Sequence, residues 1–170
     1  RFGYPLFNAD EEVGKLYKED KKIFKKLKKI LPKYINSFPI NKNEITNAIL
    51  SNKNNLKKII RVVHLEVRKK LNIFLKKNKN KKIIILDIPL LLENKINNKN
   101  DILIFVEANK SNTIKRLRKR KNFNQKLTNM FKKIQLSLVY KKRISQFVIA
   151  NNFTKKSVKK DIKVILSKIL

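Results

Sequence analysis

One run of six residues limits the fold of this chain more than any other feature: Ile83, Ile84, Ile85, Leu86, Asp87 and Ile88. Successive side chains of a strand point to opposite faces, so a run that is apolar at nearly every position is apolar on both faces. A strand with one wetted face alternates instead. Apolar character on both faces belongs to parallel sheets covered by helices. A second run of this kind is Ile102, Leu103, Ile104, Phe105 and Val106, and a weaker third is Phe147, Val148, Ile149 and Ala150. A short strand is also expected over residues 4–8.

The segments between these strands have helical spacing. Residues 21–35 carry Ile23, Phe24, Leu27, Ile30 and Leu31, with Pro32 ending or bending the helix. A helical stretch from about 44 to 77, interrupted at 51–55, repeats Leu56, Ile59, Ile60, Val63, Val67, Leu71, Phe74 and Leu75 at threes and fours. Two basic helices are expected at about 112–121 and 125–143. A last amphipathic helix carries Val158, Ile162, Ile165 and Ile169, with Thr154 as its N-cap. Buried strands alternating with helices predict an α/β fold: an open parallel sheet with helices on both faces. In such sheets ligands bind beyond the carboxyl ends of the strands. Asp10, residues 89–93 and Asn151 all follow strands and are expected to meet at one edge.

Composition narrows the partners. The net charge is +32, which first suggests nucleic acid. Only seven of the 44 basic residues are arginine, however, and Lys, Asn and Ile, all with AT-rich codons, make up roughly half the chain. Nucleic-acid modules without sequence preference interleave aromatic residues with the cations, and no such face is visible. The lysines therefore read as coding bias, and the arginines, which grip phosphate bidentately, carry more information. There is no cysteine, so disulfides and thiolate metal sites are excluded, and no metal-ligand cluster stands out. No apolar run reaches the ~20 residues that span a bilayer.

Several segments, in order, resemble the dephospho-coenzyme A kinase family. Phe7, Asn8, Ala9 and Asp10 resemble its Asp-Ala-Asp element. Ile40, Asn41 and Lys42, with Ile49, Leu50, Ser51 and Asn52, resemble the stretch leading into its substrate-binding helices. Val63, His64 and Leu65 resemble a Leu-His-Pro element. Residues 87–93 (Asp-Ile-Pro-Leu-Leu-Leu-Glu) resemble Val-Pro-Leu-Leu-Phe-Glu, the most specific match. Arg116 to Arg120, Gln135 and residues 148–152 follow in family order. The likeness covers essentially the whole chain. It departs at Asn8, Leu65 and Ala150, where the family has Asp, Pro and Asp. It also lacks the family's Gly-rich phosphate loop: Gly3 and Gly14 are the only glycines, and neither precedes a Lys-Ser or Lys-Thr pair. About thirty residues of strand, loop and helix are therefore expected upstream of Arg1, the size of a phosphate-binding βα unit. Without them, residues 1–170 are expected to bind ATP poorly and to be inactive.

The resemblance implies a P-loop kinase that transfers the ATP γ-phosphoryl group to the ribose 3′-hydroxyl of dephospho-CoA, with ATP and Mg²⁺ required. It implies a nucleotide-kinase core from residues 1–17, 81–111 and 144–170, a helical dephospho-CoA lobe over 18–80 and a lid over 112–143. Spacing alone favours a helix N-cap for Asp10; with the family segments in register, the resemblance makes it the catalytic base. His64, Lys42, Pro89, Leu90, Leu91 and Glu93 would shape the acceptor site. His64 also fits a structural histidine, and residues 89–93 a strand-to-helix corner. Arg116 and Arg120, four apart and on one helix face, would reach the ATP phosphates with Arg143; the alternative is a solvated basic face. Asn151 would contact adenine or simply make a turn. A cytoplasmic monomer or weak oligomer is expected, with no specific nucleic acid and no membrane. Another nucleotide kinase and a basic nucleic-acid module remain the rival readings.

Overall fold

The structure, a computed structural model, describes residues 2–170, which form two compact units, one up to residue 90 and one over 91–170. The first unit opens with β1 (Leu6–Asn8), which leads without a break into α1 (Ala9–Glu19). Then come α2 (Lys21–Ile30), α3 (Lys42–Ser51), α4 (Lys53–Lys77) and β2 (Ile85–Asp87). Strands β1 and β2 pair in parallel, with Leu6, Phe7 and Asn8 opposite Ile85, Leu86 and Asp87.

The helices stop where local chemistry requires. Asp20 caps α2 by accepting from the backbone N–H groups of Lys22 and Ile23 at 2.8 and 3.0 Å. The same residue closes α1, its own N–H donating to Leu16 O. The helix ends at Ile30, just ahead of Pro32, whose ring cannot follow a helical residue without strain. The expected interruption near 51–55 is a single residue: Asn52 ends α3 and caps α4 through its bond from Asn54 N at 2.8 Å.

Helix α4 is the backbone of this unit, and α1, α2 and α3 pack along it. The apolar residues spaced at three and four point into one core: Leu16, Ile23, Leu27, Ile35, Ile59 and Val63 are all buried. Phe7 of β1 meets Phe74 of α4 with ring centroids 5.5 Å apart, which docks the strand onto the far end of the long helix. Glu12 receives Lys15 at 2.6 Å and Lys70 at 3.4 Å, adding a polar tie between α1 and α4.

The second unit contains β3 (Ile104–Ala108), α5 (Lys110–Arg118), α6 (Gln125–Ile134), α7 (Leu138–Ile144), β4 (Phe147–Asn151) and α8 (Lys155–Ile169). Strands β3 and β4 are parallel, Ile104 opposite Phe147 and Ala108 opposite Asn151. Helix α8 packs on β4, with Ile149 and Ile165 buried. Asp161 of α8 accepts from Ala150 N at 3.0 Å, and Thr154 is the N-cap, as its position predicts.

The α/β class and the parallel pairing agree with the sequence reading, but three details differ. The strands are not buried on both faces. Ile85, Ile104, Val106 and Val148 are exposed, because the packed helix covers one face of each two-stranded ladder. The expected helix 125–143 is two helices: the chain breaks at Gln135, and Ser137 caps α7 by accepting from Tyr140 N at 3.1 Å. The helix expected at 112–121 ends at Arg118, and Arg120 lies in the following turn, where its carbonyl accepts from Phe123 N at 2.9 Å. Arg116 and Arg120 therefore do not share a helix face. Among the described residues, no helix is long and apolar enough to cross a membrane.

Candidate active site

In the first unit the polar groups gather where β1 and β2 end. Asn8 and Asp87 are ladder partners at the carboxyl ends of their strands, and Asn8 Nδ2 donates to Asp87 Oδ2 at 3.3 Å. Two carboxylates directly opposite each other would repel; an amide at position 8 converts that clash into a hydrogen bond. Asn8 also caps α1, its Oδ1 accepting from Glu11 N at 3.1 Å. The N-cap reading of Asp10 is thereby corrected. Asn8 already fills the cap, because the helix begins at Ala9, one residue earlier than a cap at position 10 requires. Asp10 lies in the first turn, exposed, together with Glu11 and Glu12. There its charge complements the positive end of the helix dipole.

Asp87 is the residue that the sequence reading passed over. The signal was present: it is the one charged residue in the run 83–88, and it ends β2. Just beyond it, Leu90 has φ 57°, a left-handed conformation that an unbranched alanine or larger residue adopts at an energetic penalty of about 1–2 kcal/mol. Such strain persists where the surroundings impose it, commonly beside functional sites. Pro89 is exposed and Leu90 and Leu91 are half-buried along this turn.

His64 lies midway along α4, half-buried. Burial, and secondarily the charge of Arg68, push its pKa below the ordinary imidazole value, so it is neutral at pH 7. The folded form thus resists a proton that the unfolded chain accepts. Stability should be full above pH ~6.5 and should decline as pH falls through the lower folded value. Melting temperatures measured between pH 7.5 and 5 should show this decline, and His64→Gln should flatten it. Lys42 opens α3 behind its cap Asn41 and is exposed.

In the second unit Glu93 is turned toward protein partners. Its Oε1 accepts from Lys141 Nζ at 2.6 Å and from Leu136 N at 2.9 Å. Burial raises its pKa, but the Lys141 and backbone hydrogen bonds outweigh that and leave it below the usual glutamate range. Arg116 lies over the Phe153 ring, 4.5 Å from its centroid, and Arg143 lies 5.6 Å from the centroid of Tyr140. Asn151 Oδ1 accepts from Phe153 N at 2.8 Å, so this side chain does build a turn. Among the described residues, no group of three His, Cys, Asp or Glu side chains could cage a metal.

Parallel strands followed by helices, with Asp87 at the end of β2 and Asp10 in the first turn of the helix after β1, define an α/β class suited to moving phosphoryl groups. The sequence profile of the dephospho-CoA kinase family matches residues 1–157, and the chain belongs to that family. It is an ATP-dependent kinase of coenzyme A biosynthesis. A dephospho-CoA kinase of Wolbachia pipientis wMel is 32% identical over 170 residues, covering 99% of this chain and 87% of that protein. One from Rickettsia felis is 29% identical over 164 residues, covering 96% and 84%. Among solved structures, a Thermus thermophilus protein superposes with a TM-score of 0.75 at 20% identity, covering 99% of this chain and 86% of the other. A dephospho-CoA kinase from Campylobacter jejuni gives 0.62 at 18% identity, covering 98% and 85%. At these identities the structural matches speak for the fold.

Proposed function

We propose that this kinase passes the γ-phosphoryl group of ATP to the ribose 3′-hydroxyl of dephospho-CoA, with Asp10 as the base. The hydroxyl oxygen attacks phosphorus, the bond to the leaving ADP oxygen breaks, and the hydroxyl proton goes to the Asp10 carboxylate. One observation carries the assignment: Asn8 does the capping, which leaves the Asp10 carboxylate exposed in the first turn of α1, two residues beyond β1.

Asp10 and Asp87 also suit Mg²⁺, which is usually held by one or two carboxylates, several waters and the substrate phosphates rather than by a full protein cage. Such an ion would offset the charge on the phosphate oxygens. In this reading His64, Lys42, Pro89, Leu90 and Leu91 line the acceptor side, and Arg116, Arg120 and Arg143 serve the phosphates. Asn151 stands on the adenine side. Residues 18–80 act as the acceptor lobe, 112–143 as a lid, and 1–17, 81–111 and 144–170 as the nucleotide-kinase core. The protein works in the cytoplasm as a monomer or weak oligomer, without nucleic acid or membrane.

A panel of acceptors tests the substrate. With ATP and Mg²⁺, and with the full-length enzyme that includes the expected upstream phosphate loop, dephospho-CoA should be phosphorylated at least ~100-fold more efficiently, in kcat/KM, than adenosine or nucleoside monophosphates, a difference of about 2.7 kcal/mol in transition-state binding. A preferred nucleoside acceptor would move the chain's activity to the rival nucleotide-kinase reading.

A further inference from the structure

We propose that Glu93 is a positioning residue: it latches the corner between α6 and α7 and so sets the placement of α7, the helix that carries Arg143. The chain between these helices leaves the helical path at residues 135–137, and the backbone N–H of Leu136 donates to Glu93 Oε1, 43 residues earlier in the sequence. Lys141, one turn into α7, donates to the same oxygen at 2.6 Å.

The pair differs from the others in burial. The Lys141 and Glu93 side chains are 19% and 9% exposed, against 47% and 50% for Lys142 and Glu107 on the neighbouring surface. Surface pairs contribute little, whereas breaking a desolvated pair strands a charge. Glu93 Oε2 is buried without a hydrogen-bond partner, so this carboxylate is held in place by the contacts of its other oxygen.

Beyond the Ser137 cap and the exposed Lys142–Glu107 pair, little else secures the corner. Leu136, Leu138, Val139 and Tyr140 are all exposed, Val139 at 79%, so apolar packing supplies no substitute for the latch. Residues Leu91 and Leu92 precede Glu93 in the turn that follows β2, where Ile96 N donates to Leu91 O at 3.1 Å. The latch therefore joins the turn containing the Leu-Leu-Leu-Glu element to a basic helix.

The placement of Arg143 matters for catalysis only if the kinase and lid reading above holds; the latch itself rests on the contacts alone. Two measurements on Glu93→Gln, Lys141→Met, Lys141→Arg and the Glu93→Gln/Lys141→Met double variant separate these. Amide hydrogen exchange over residues 135–144 should speed up by about tenfold or more in Glu93→Gln and Lys141→Met, with no change in α4. Their kcat should fall by about tenfold or more, with Lys141→Arg close to wild type and the double variant no worse than either single. Unchanged exchange overturns the latch. Faster exchange with wild-type kcat and KM overturns the positioning role. A raised acceptor KM in Glu93→Gln with normal Lys141→Met kinetics also overturns it, because Glu93 would then be touching substrate. Failure of the kinase reading looks different: the full-length wild-type enzyme, with the expected phosphate loop upstream of residue 1, itself leaves dephospho-CoA unphosphorylated.

Discussion

Asp10→Asn should lower kcat by roughly 10²- to 10⁴-fold, the span associated with losing a positioned general base, while KM for either substrate changes by no more than about tenfold. The substitution is nearly isosteric and leaves the cap of α1 in place, because Asn8 Oδ1 supplies it. Unfolding by urea should therefore be close to unchanged, which separates catalytic loss from misfolding. Asp87→Asn is the matched control. Asp87 already accepts from the Asn8 side chain and is tied into the ladder, so its loss should cost less in kcat than that of Asp10. Steady-state kinetics of the full-length enzyme, phosphate loop included, with saturating ATP and dephospho-CoA give the answer. If Asp10→Asn keeps more than about a tenth of wild-type kcat, the carboxylate is only a partner of the helix dipole.

The largest effect on stability should come from Leu27→Ala, at about 2–5 kcal/mol, the range for truncating a fully enclosed leucine. Leu27 is 0% exposed, on the face of α2 that packs against α4. Removing its three outer carbons loses transfer free energy and leaves a cavity among rigid helical neighbours. Urea denaturation followed by far-ultraviolet circular dichroism measures it. Since whole proteins are stable by about 5–15 kcal/mol, such a loss would leave the unit marginal. Leu65→Ala on the solvent side of α4 is the contrasting case: Leu65 is 59% exposed, and the change should stay within about 0.5 kcal/mol. Equal effects at the two positions would mean that the helical core is not organised around α2 and α4.

The helices of the first unit were legible because their signals are local. Ile23 and Leu27, or Ile59 and Val63, stand four apart in sequence and so one above the other on a helix, whatever else the chain does. Pro32 and Thr154 act within a turn of where they stand. The same logic placed β1, β2 and β4 to within two residues and indicated parallel pairing from the apolar run at 83–88. It was less successful with the basic helices. Residues 125–143 contain no proline or glycine to announce a break. Arg120 looked helical by continuation alone.

Of the candidate site, the sequence by itself determined which residue types stand at strand ends: Asp10 after β1, the Pro-Leu-Leu-Leu-Glu element after β2 and Asn151 at the end of β4. It also determined the family, through the order of those short elements. Tertiary structure decided what each side chain meets. Asn8 rather than Asp10 caps α1; Asp87, 79 residues away, takes the Asn8 amide; Glu93 turns to Lys141 and Leu136, and its pull on the Leu136 N–H accompanies the break between α6 and α7. The reason is range. Periodicity and capping depend on neighbours within a turn or two, and are written along the chain. Hydrogen bonds between residues 43 or 79 apart exist only once strand register and helix packing bring those backbones together.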